Sequence, residues 1–251
     1  MRRLIGACLL GVVWAVGPVG YAQSTEATEL MRATNGDRAQ QGLGPLKWDP
    51  ALAQAAQRHA EWMIRQGGGS LSHQYAGEAD LVTRVGQAGA HFRVVAENLA
   101  VAPNPEAVET EWMHSPPHRR NILDARLNEI GIGLVRQGGN LWAVEDFSAG
   151  VAAVGSSQIE HTIGQLLSER GVRTGGDVAA ARQTCAMEHG SAGAVRPKFI
   201  MRWQGSDLSR LPDVLEEQIH TGRFHTATVG ACDTGNGQPG FTTYRLAVLL
   251  F

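Results

Sequence analysis

Two histidines and one glutamate have the side-chain types for metal or acid–base chemistry. His73 follows a triple glycine, Glu97 ends the predicted strand Arg93–Ala96, and His118 follows two prolines. Two imidazoles and a carboxylate match the ligand set of a catalytic zinc site, which keeps one position open for a water that attacks an ester or amide. We predict that these three residues meet in one solvent-reachable cleft.

The segment around His118 has the pattern of a helix start. Ser115 precedes Pro116, so the serine is predicted to cap the helix and the proline to take its first position. His118 then falls in the first turn. The positive end of the helix favours the neutral imidazole there, which is the metal-binding form.

The same residues also suit a structural role, because buried Glu–His pairs hold loops together without any reaction. The chain has no His-Glu-x-x-His motif, so spacing alone leaves structural, binding and hydrolytic roles open. Serine catalysis has less support, since the chain has no Gly-x-Ser-x-Gly motif.

The elements that must position these residues are predicted helices, which come first along the chain, and predicted strands, which follow. Apolar spacing and helix-start signals predict helices at Glu26–Gln41, from Lys47–Pro50 to Gly67, at Leu81–Ala88 and from Asn104 to His114. His59 falls on the apolar face of the second helix and is interpreted as a helix-face residue rather than a ligand. Strands Glu129–Arg136 and Leu141–Phe147 are predicted to form a hairpin across Gln137–Asn140.

This order indicates an α+β fold with helices packed against an antiparallel sheet. Residues 149–157 are small and are predicted to be a linker. Residues 158–251 repeat the helix-then-hairpin order, so we expect either an accessory domain or a diverged half-repeat. Its predicted helices are Ile159–Arg170, Val178–Met187 and Pro212–Thr221, and its strands are Lys198–Trp203, Thr226–Cys232 and a central strand Phe241–Phe251.

Composition limits the class of protein. The chain has 251 residues, of which 43% are apolar, enough for a sizeable core. Its net charge of −2 gives no basic surface for nucleic acid.

The N-terminus has the pattern of a secretion signal. Met1–Arg3 is positively charged, Leu4–Val19 is apolar, and Ala22 is a small residue suited to cleavage, so residues 1–22 are predicted to be removed. We expect an exported protein, extracellular or periplasmic, with no membrane span after signal removal. A lipoprotein anchor at Cys8 is the alternative.

Two cysteines, Cys185 and Cys232, remain after signal removal. An even number of cysteines in an exported chain favours a disulfide, here one that would stabilise the fold by roughly 4 kcal/mol in the chain-entropy model. Two unrelated buried thiols are the alternative.

Several short motifs occur in a fixed order between residues 28 and 148. They are Asn35-x-x-Arg38, Pro45-Leu46, Ser72-His73, Ala96-Glu97-Asn98-Leu99, Trp112–Leu123, Ile130–Gly133 and Trp142–Phe147. Together they resemble the CAP superfamily, also called the SCP/PR-1-like domain, in its bacterial secreted form. The resemblance implies a three-layer α-β-α sandwich over residues 28–148, followed by a small C-terminal α+β extension.

The resemblance also implies a cleft with two histidines and two acids that bind a divalent metal, often Zn2+. His73, Glu97 and His118 match three of these positions, and Ser115 stands where the second acid is expected. A hydroxyl is a weaker zinc ligand than a carboxylate.

The function expected from the sequence is an exported CAP-domain protein whose cleft binds a ligand, with a divalent metal such as Zn2+. The family resemblance implies a lipid or sterol, an envelope component or another protein as partner. The alternative is a metal-dependent, peptidase-like hydrolase that uses His73, Glu97 and His118.

Export makes a direct prediction. N-terminal sequencing of the protein recovered outside the cytoplasm is expected to begin at Gln23 or a close neighbour. Recovery of the chain with Met1 intact would contradict the predicted signal.

Overall fold

The computed structural model describes residues 24–67, 70–233, 240 and 242–251. Within these residues the chain forms two four-stranded sheets, each with its own helices. The predicted signal 1–22, the lipoprotein alternative at Cys8, and Phe241 lie outside the described residues.

The first unit alternates helices and strands. Its elements are α1 (Thr25–Gln40), β1 (Lys47–Trp48), α2 (Pro50–Arg65), α3 (Leu81–Gln87), β2 (Phe92–Ala102), α4 (Pro105–His114), α5 (Pro116–Ile122), β3 (Glu129–Gln137) and β4 (Asn140–Gly150). The strand order is β1-β3-β4-β2, with β1 parallel to β3 and the other pairs antiparallel. Strand β2 is therefore at an edge.

Most predicted elements of this unit are confirmed, and two differ. Lys47–Trp48 is a short parallel strand rather than the start of a helix, although Asp49 caps α2 as predicted. The strand predicted at Arg93–Ala96 extends to Ala102, so Glu97 lies inside it rather than at its end. The run continues because Asn98–Ala102 pair with β4 without interruption.

The side chains of β4 point alternately to the two faces of this sheet, and apolar ones are buried on both. Leu141, Ala143 and Phe147 belong to a buried cluster that includes residues of α1, α4 and α5. Trp142 and Val144, on the other face, pack with residues of α2. Helices therefore cover the sheet from both sides, as the period-two pattern of the strand requires.

The second unit has the same arrangement of strands. Its elements are α6 (Ser156–Glu169), β5 (Arg173–Thr174), α7 (Val178–Ala186), β6 (Phe199–Gly205), α8 (Asp213–His220), β7 (Thr226–Cys232) and β8 (Tyr244–Leu250). The strand order is β5-β7-β8-β6, and β5 is parallel to β7. Strand β8 is central, as predicted from its apolar run.

A disulfide links two elements of the second unit, and backbone hydrogen bonds join this unit to the first. The predicted disulfide is confirmed: Cys185 of α7 and Cys232 of β7 are bonded, with their Cα atoms 5.9 Å apart. At the junction with the first unit, the N–H of Phe92 donates to the carbonyl of Gly240, and the N–H of Thr242 donates to the carbonyl of Phe92. The start of β2 is thus bonded to the last part of the chain.

The described helices include none with the length and apolarity needed to cross a bilayer.

A glycine allows a helix to approach the sheet in each unit. A Cβ on Gly133 would lie 2.2 Å from the carbonyl carbon of Ala56 in α2, and one on Gly230 would lie 2.2 Å from that of Ala181 in α7. Both neighbours are backbone atoms, so neither can move aside alone.

Gly133→Ala is therefore expected to lower the free energy of unfolding by about 1–3 kcal/mol, the usual cost of overpacking. Urea denaturation measures the change. Gly36→Ala is the matched control, because Gly36 lies within α1 with open space around its Cα, and that variant should gain about 1 kcal/mol. Equal stability of the two variants would contradict the proposed clash.

Candidate functional site

The candidate site lies where β2, the loop 70–80, α3 and the start of α5 meet. Glu97 sits in the middle of β2 and pairs in register with Asp146 of β4. Because β2 is an edge strand, residues from helices on either face of the sheet can reach it.

The carboxylate of Glu97 is held by two partners. His73 Nδ1 is 2.8 Å from one oxygen, and the guanidinium of Arg84 donates to the other at 2.5 Å. The side chain is only 1% exposed. Burial acts to raise the pKa of Glu97, but the His73 hydrogen bond and the charges of Arg84 and His59 outweigh it, so the pKa is lowered. Glu97 is therefore a charged, paired carboxylate.

The imidazole of His73 is oriented by Glu97 and remains open to solvent. Its side chain is 62% exposed. The hydrogen bond with Glu97 raises the pKa of His73. With Nδ1 occupied by Glu97, Nε2 is the atom left for a ligand, a metal or a proton.

His118 lies in the first turn of α5, as predicted. Its Nδ1 is buried and has no hydrogen-bond partner within the described part of the chain. Burial lowers the pKa of His118, and the charge of His73 lowers it further. The two imidazoles are thus in electrostatic range, and His118 is neutral at pH 7.

Two asparagines attach α5 to the edge strand. Asn121 donates to the backbone carbonyl of Glu97 at 3.2 Å and to the side-chain oxygen of Asn98 at 2.9 Å. Asn98 in turn donates to the carbonyl of His118 at 3.2 Å. These bonds fix His118 relative to Glu97.

Ser115 takes the N-cap position of α5 and Pro116 the first helical position, as predicted, but the serine side chain makes no capping hydrogen bond. Pro117, at the second helical position, has no N–H, which removes one of the two donors that a capping oxygen accepts from. Ser115 lines a surface hollow together with Glu111 and His114.

Sequence reasoning missed two residues that lie next to Glu97, His59 and Arg84. His59 is fully buried, with Nδ1 2.7 Å from Glu78 and Nε2 3.1 Å from the carbonyl of Ser72. Arg84 also donates to the carbonyls of His73 and Ala79 at 3.0 and 3.1 Å. The available signal was His59 itself, since a polar residue on an apolar helix face needs a buried partner.

Asp146 is a further residue that sequence reasoning missed. It is fully buried on the same face of the sheet as Glu97, and neither of its oxygens has a hydrogen-bond partner among the described residues. Burial first, and then the charge of Glu97, raise the pKa of Asp146 well above its usual value. Burial therefore favours the neutral form of Asp146, whereas its partners favour the charged form of Glu97.

The metal set predicted from the sequence does not form a ready coordination shell. Nowhere in the described ranges are three or more His, Cys, Asp or Glu side chains grouped so that they could hold a metal ion. His73 and Glu97 are in contact, but both oxygens of Glu97 already accept hydrogen bonds. The groups left to bind a metal are the imidazoles of His73 and His118, and Glu97 is hydrogen-bonded to the first of them.

Residues 31–147 match the family model CAP, described as the Cysteine-rich secretory protein family. The first unit is a CAP domain. The chain is 31% identical over 118 residues to the uncharacterized protein YkwD of Bacillus subtilis (strain 168), a match that covers 45% of this chain and 44% of YkwD. It is 30% identical over 117 residues to the uncharacterized membrane protein YlbC of the same strain, covering 46% and 33%.

The chain thus spans less than half the length of these two relatives. Among solved structures, an extracellular protein containing a SCP domain from Bacillus anthracis is 24% identical, with a TM-score of 0.45, covering 48% of this chain and 39% of that one. A cysteine-rich secretory protein from Staphylococcus aureus is 22% identical, with a TM-score of 0.40, covering 52% and 41%. The family-model match over residues 31–147 confirms the predicted family of the first unit.

A second acidic cluster lies on the opposite face of this CAP domain. The Thr34 hydroxyl is 2.8 Å from a Glu109 oxygen and 3.0 Å from a Glu145 oxygen. A hydroxyl has one hydrogen, so one of these contacts needs a proton from a carboxyl group. Burial raises the pKa of Glu109 to about 8, with Asp37 adding to the rise, and burial raises that of Glu145 well above its usual value.

These protons make stability depend on pH. A carboxyl group whose pKa is raised by folding stabilises the fold fully below its unfolded pKa, and that stability is lost as pH rises through the folded pKa. Between about pH 5 and pH 8, Glu109→Gln should remove one proton from the pH dependence, about 1.4 kcal/mol per pH unit, because its amide stays neutral. Urea denaturation at several pH values measures this.

Glu106→Gln is the matched control, since Glu106 is exposed on the same helix and should leave the dependence unchanged. Identical pH dependence in Glu109→Gln and the unsubstituted protein would show that Glu109 carries no proton in the fold.

Proposed function

We propose that the protein is an exported binding module whose CAP-domain cleft holds a divalent cation such as Zn2+ between His73 and His118 and takes its ligand there. The observation that carries this proposal is the state of His73. A buried carboxylate orients the ring and leaves Nε2 for a ligand, the side chain is exposed to solvent, and a second, neutral histidine lies within electrostatic range.

The residues present fit such an ion. A metal-binding histidine commonly donates its other ring N–H to a carboxylate, which fixes the ring and makes it a better ligand. Glu97 stands in that relation to His73, at 2.8 Å. The unpartnered Nδ1 of His118 supplies a second neutral donor. Two imidazoles leave positions for oxygen atoms of water or of a bound molecule.

The location outside the cytoplasm rests on three observations. The N-terminal pattern is that of a secretion signal, the chain carries a disulfide, and the matching family is described as secretory. Ligands of the classes expected from the sequence, a lipid or sterol, an envelope component or a protein partner, all occur there.

Hydrolysis is the second candidate, because a carboxylate-oriented histidine such as His73 is also the arrangement of a general base. The state of Glu97 weighs against the metal-dependent form. Both its oxygens accept hydrogen bonds and its pKa is lowered, so it is poorly suited to take a proton from an attacking water.

Zinc uptake by the purified protein tests the proposal. Equilibrium dialysis followed by elemental analysis is expected to find one Zn2+ per chain. His73→Ala and His118→Ala should each abolish uptake, and Glu97→Gln should weaken it roughly 10- to 100-fold, the usual effect of losing the partner behind a ligand.

His161→Ala is the matched control, because His161 is exposed in the second unit, and it should bind zinc like the unsubstituted protein. Uptake that His73→Ala and His118→Ala leave unchanged would overturn the cation site. Cleavage of a peptide substrate that requires both histidines and added zinc would favour the hydrolase instead.

A further inference from the structure

The second unit contains a cavity of about 470 Å³ that lies apart from the His73 cleft. Its walls are the loop after β5, the start of α7, the ends of β7 and β8, and the segment Ala192–Val195. The apolar side chains Ala180, Leu249 and Phe251 line it. Its volume is within the range of small-molecule pockets, roughly 300–1,000 Å³.

The strand register shows that this cavity lies on one face of the second sheet, and that this face corresponds to the Glu97 face of the first sheet. Leu249 of β8 pairs with Ile200 and with Thr228. At the same register of the first sheet, Asp146 pairs with Glu97 and with Gly131. The second unit therefore has apolar residues where the first has its buried acids.

A helix fills the corresponding space in the first unit. Val85 of α3 packs there with Leu52 of α2 and Phe92 of β2 in one buried cluster. In the second unit no helix lies between α7 and β6, and the loop 187–198 connects them. Its segment Ala192–Val195 forms a wall of the cavity, which leaves the interior open to a small molecule.

The residues that line the wall and rim of the cavity indicate which kind of ligand it could bind. Val195 is 69% exposed, more than any other large hydrophobic side chain of the described residues, so a ligand would remove apolar surface from water. Arg173 lines the same cavity, is exposed, and has no carboxylate partner in the described ranges. Asp177, the acid on this rim, caps α7 through the N–H of Ala180.

We propose that this cavity binds a small amphiphilic anion, with an aliphatic chain or ring against Ala180, Leu249 and Phe251 and a carboxylate paired with Arg173. The site does not depend on metal binding at His73 and His118.

Calorimetric titration of the full-length mature protein tests this. Decanoate and 2-naphthoate are the probes for a chain and a ring, and at least one should bind saturably at one site. Arg173→Gln should weaken the charged probe that binds by roughly two- to fivefold, the scale of one exposed ion pair. Decan-1-ol, which lacks the charge, should bind alike to both proteins if the chain is the occupant.

Arg58→Gln, which removes an exposed arginine of the first unit, is the matched control and should leave affinity unchanged. Ala180→Phe fills the cavity and should abolish binding of both anions. The proposal is overturned if neither anion binds saturably, or if Arg173→Gln and Arg58→Gln have the same affinity. The arginine comparison decides the matter even if Ala180→Phe fails to fold.

Discussion

The buried charge of Glu97 is the constraint on which the rest of the candidate site depends. A carboxylate that is 1% exposed persists only if it is paired and hydrogen-bonded. Arg84 supplies the charge, and the same guanidinium binds the carbonyls of His73 and Ala79. The pairing of one acid therefore orders the loop that presents His73, so the geometry of the cleft follows from the need to keep Glu97 charged.

The buried acids of the CAP domain fall into two groups, according to whether their pKa is lowered or raised. Glu97 is paired with Arg84 and His73, whereas burial raises the pKa values of Asp146, Glu109 and Glu145 and so favours their neutral forms. The difference comes from the neighbours, because Arg84 donates to Glu97, whereas Asp146 on the same face has no hydrogen-bond partner among the described residues.

Local signals predicted most elements, because helix spacing, the cap at Asp49 and the glycine turn after Gln137 act over a few residues. They also indicated His73 and Glu97, whose contact is observed. They could not find Arg84, since nothing in the sequence near α3 shows that its guanidinium reaches Glu97 of another element. Lys47–Trp48 was mistaken for a helix start because a two-residue strand exists only through its pairing with β3. The half-repeat stays a prediction, which the shared strand order favours.

The edge strand β2 has a further consequence for the molecule in solution. An unpaired edge normally offers its backbone groups to a strand of another chain, which leads to aggregation. Here Gly240 and Thr242 bond the backbone of Phe92, and Asn121 bonds the carbonyl of Glu97. A foreign strand would have to displace these bonds before it could add to the sheet, so the contacts that shape the cleft also protect the protein from intermolecular strand addition.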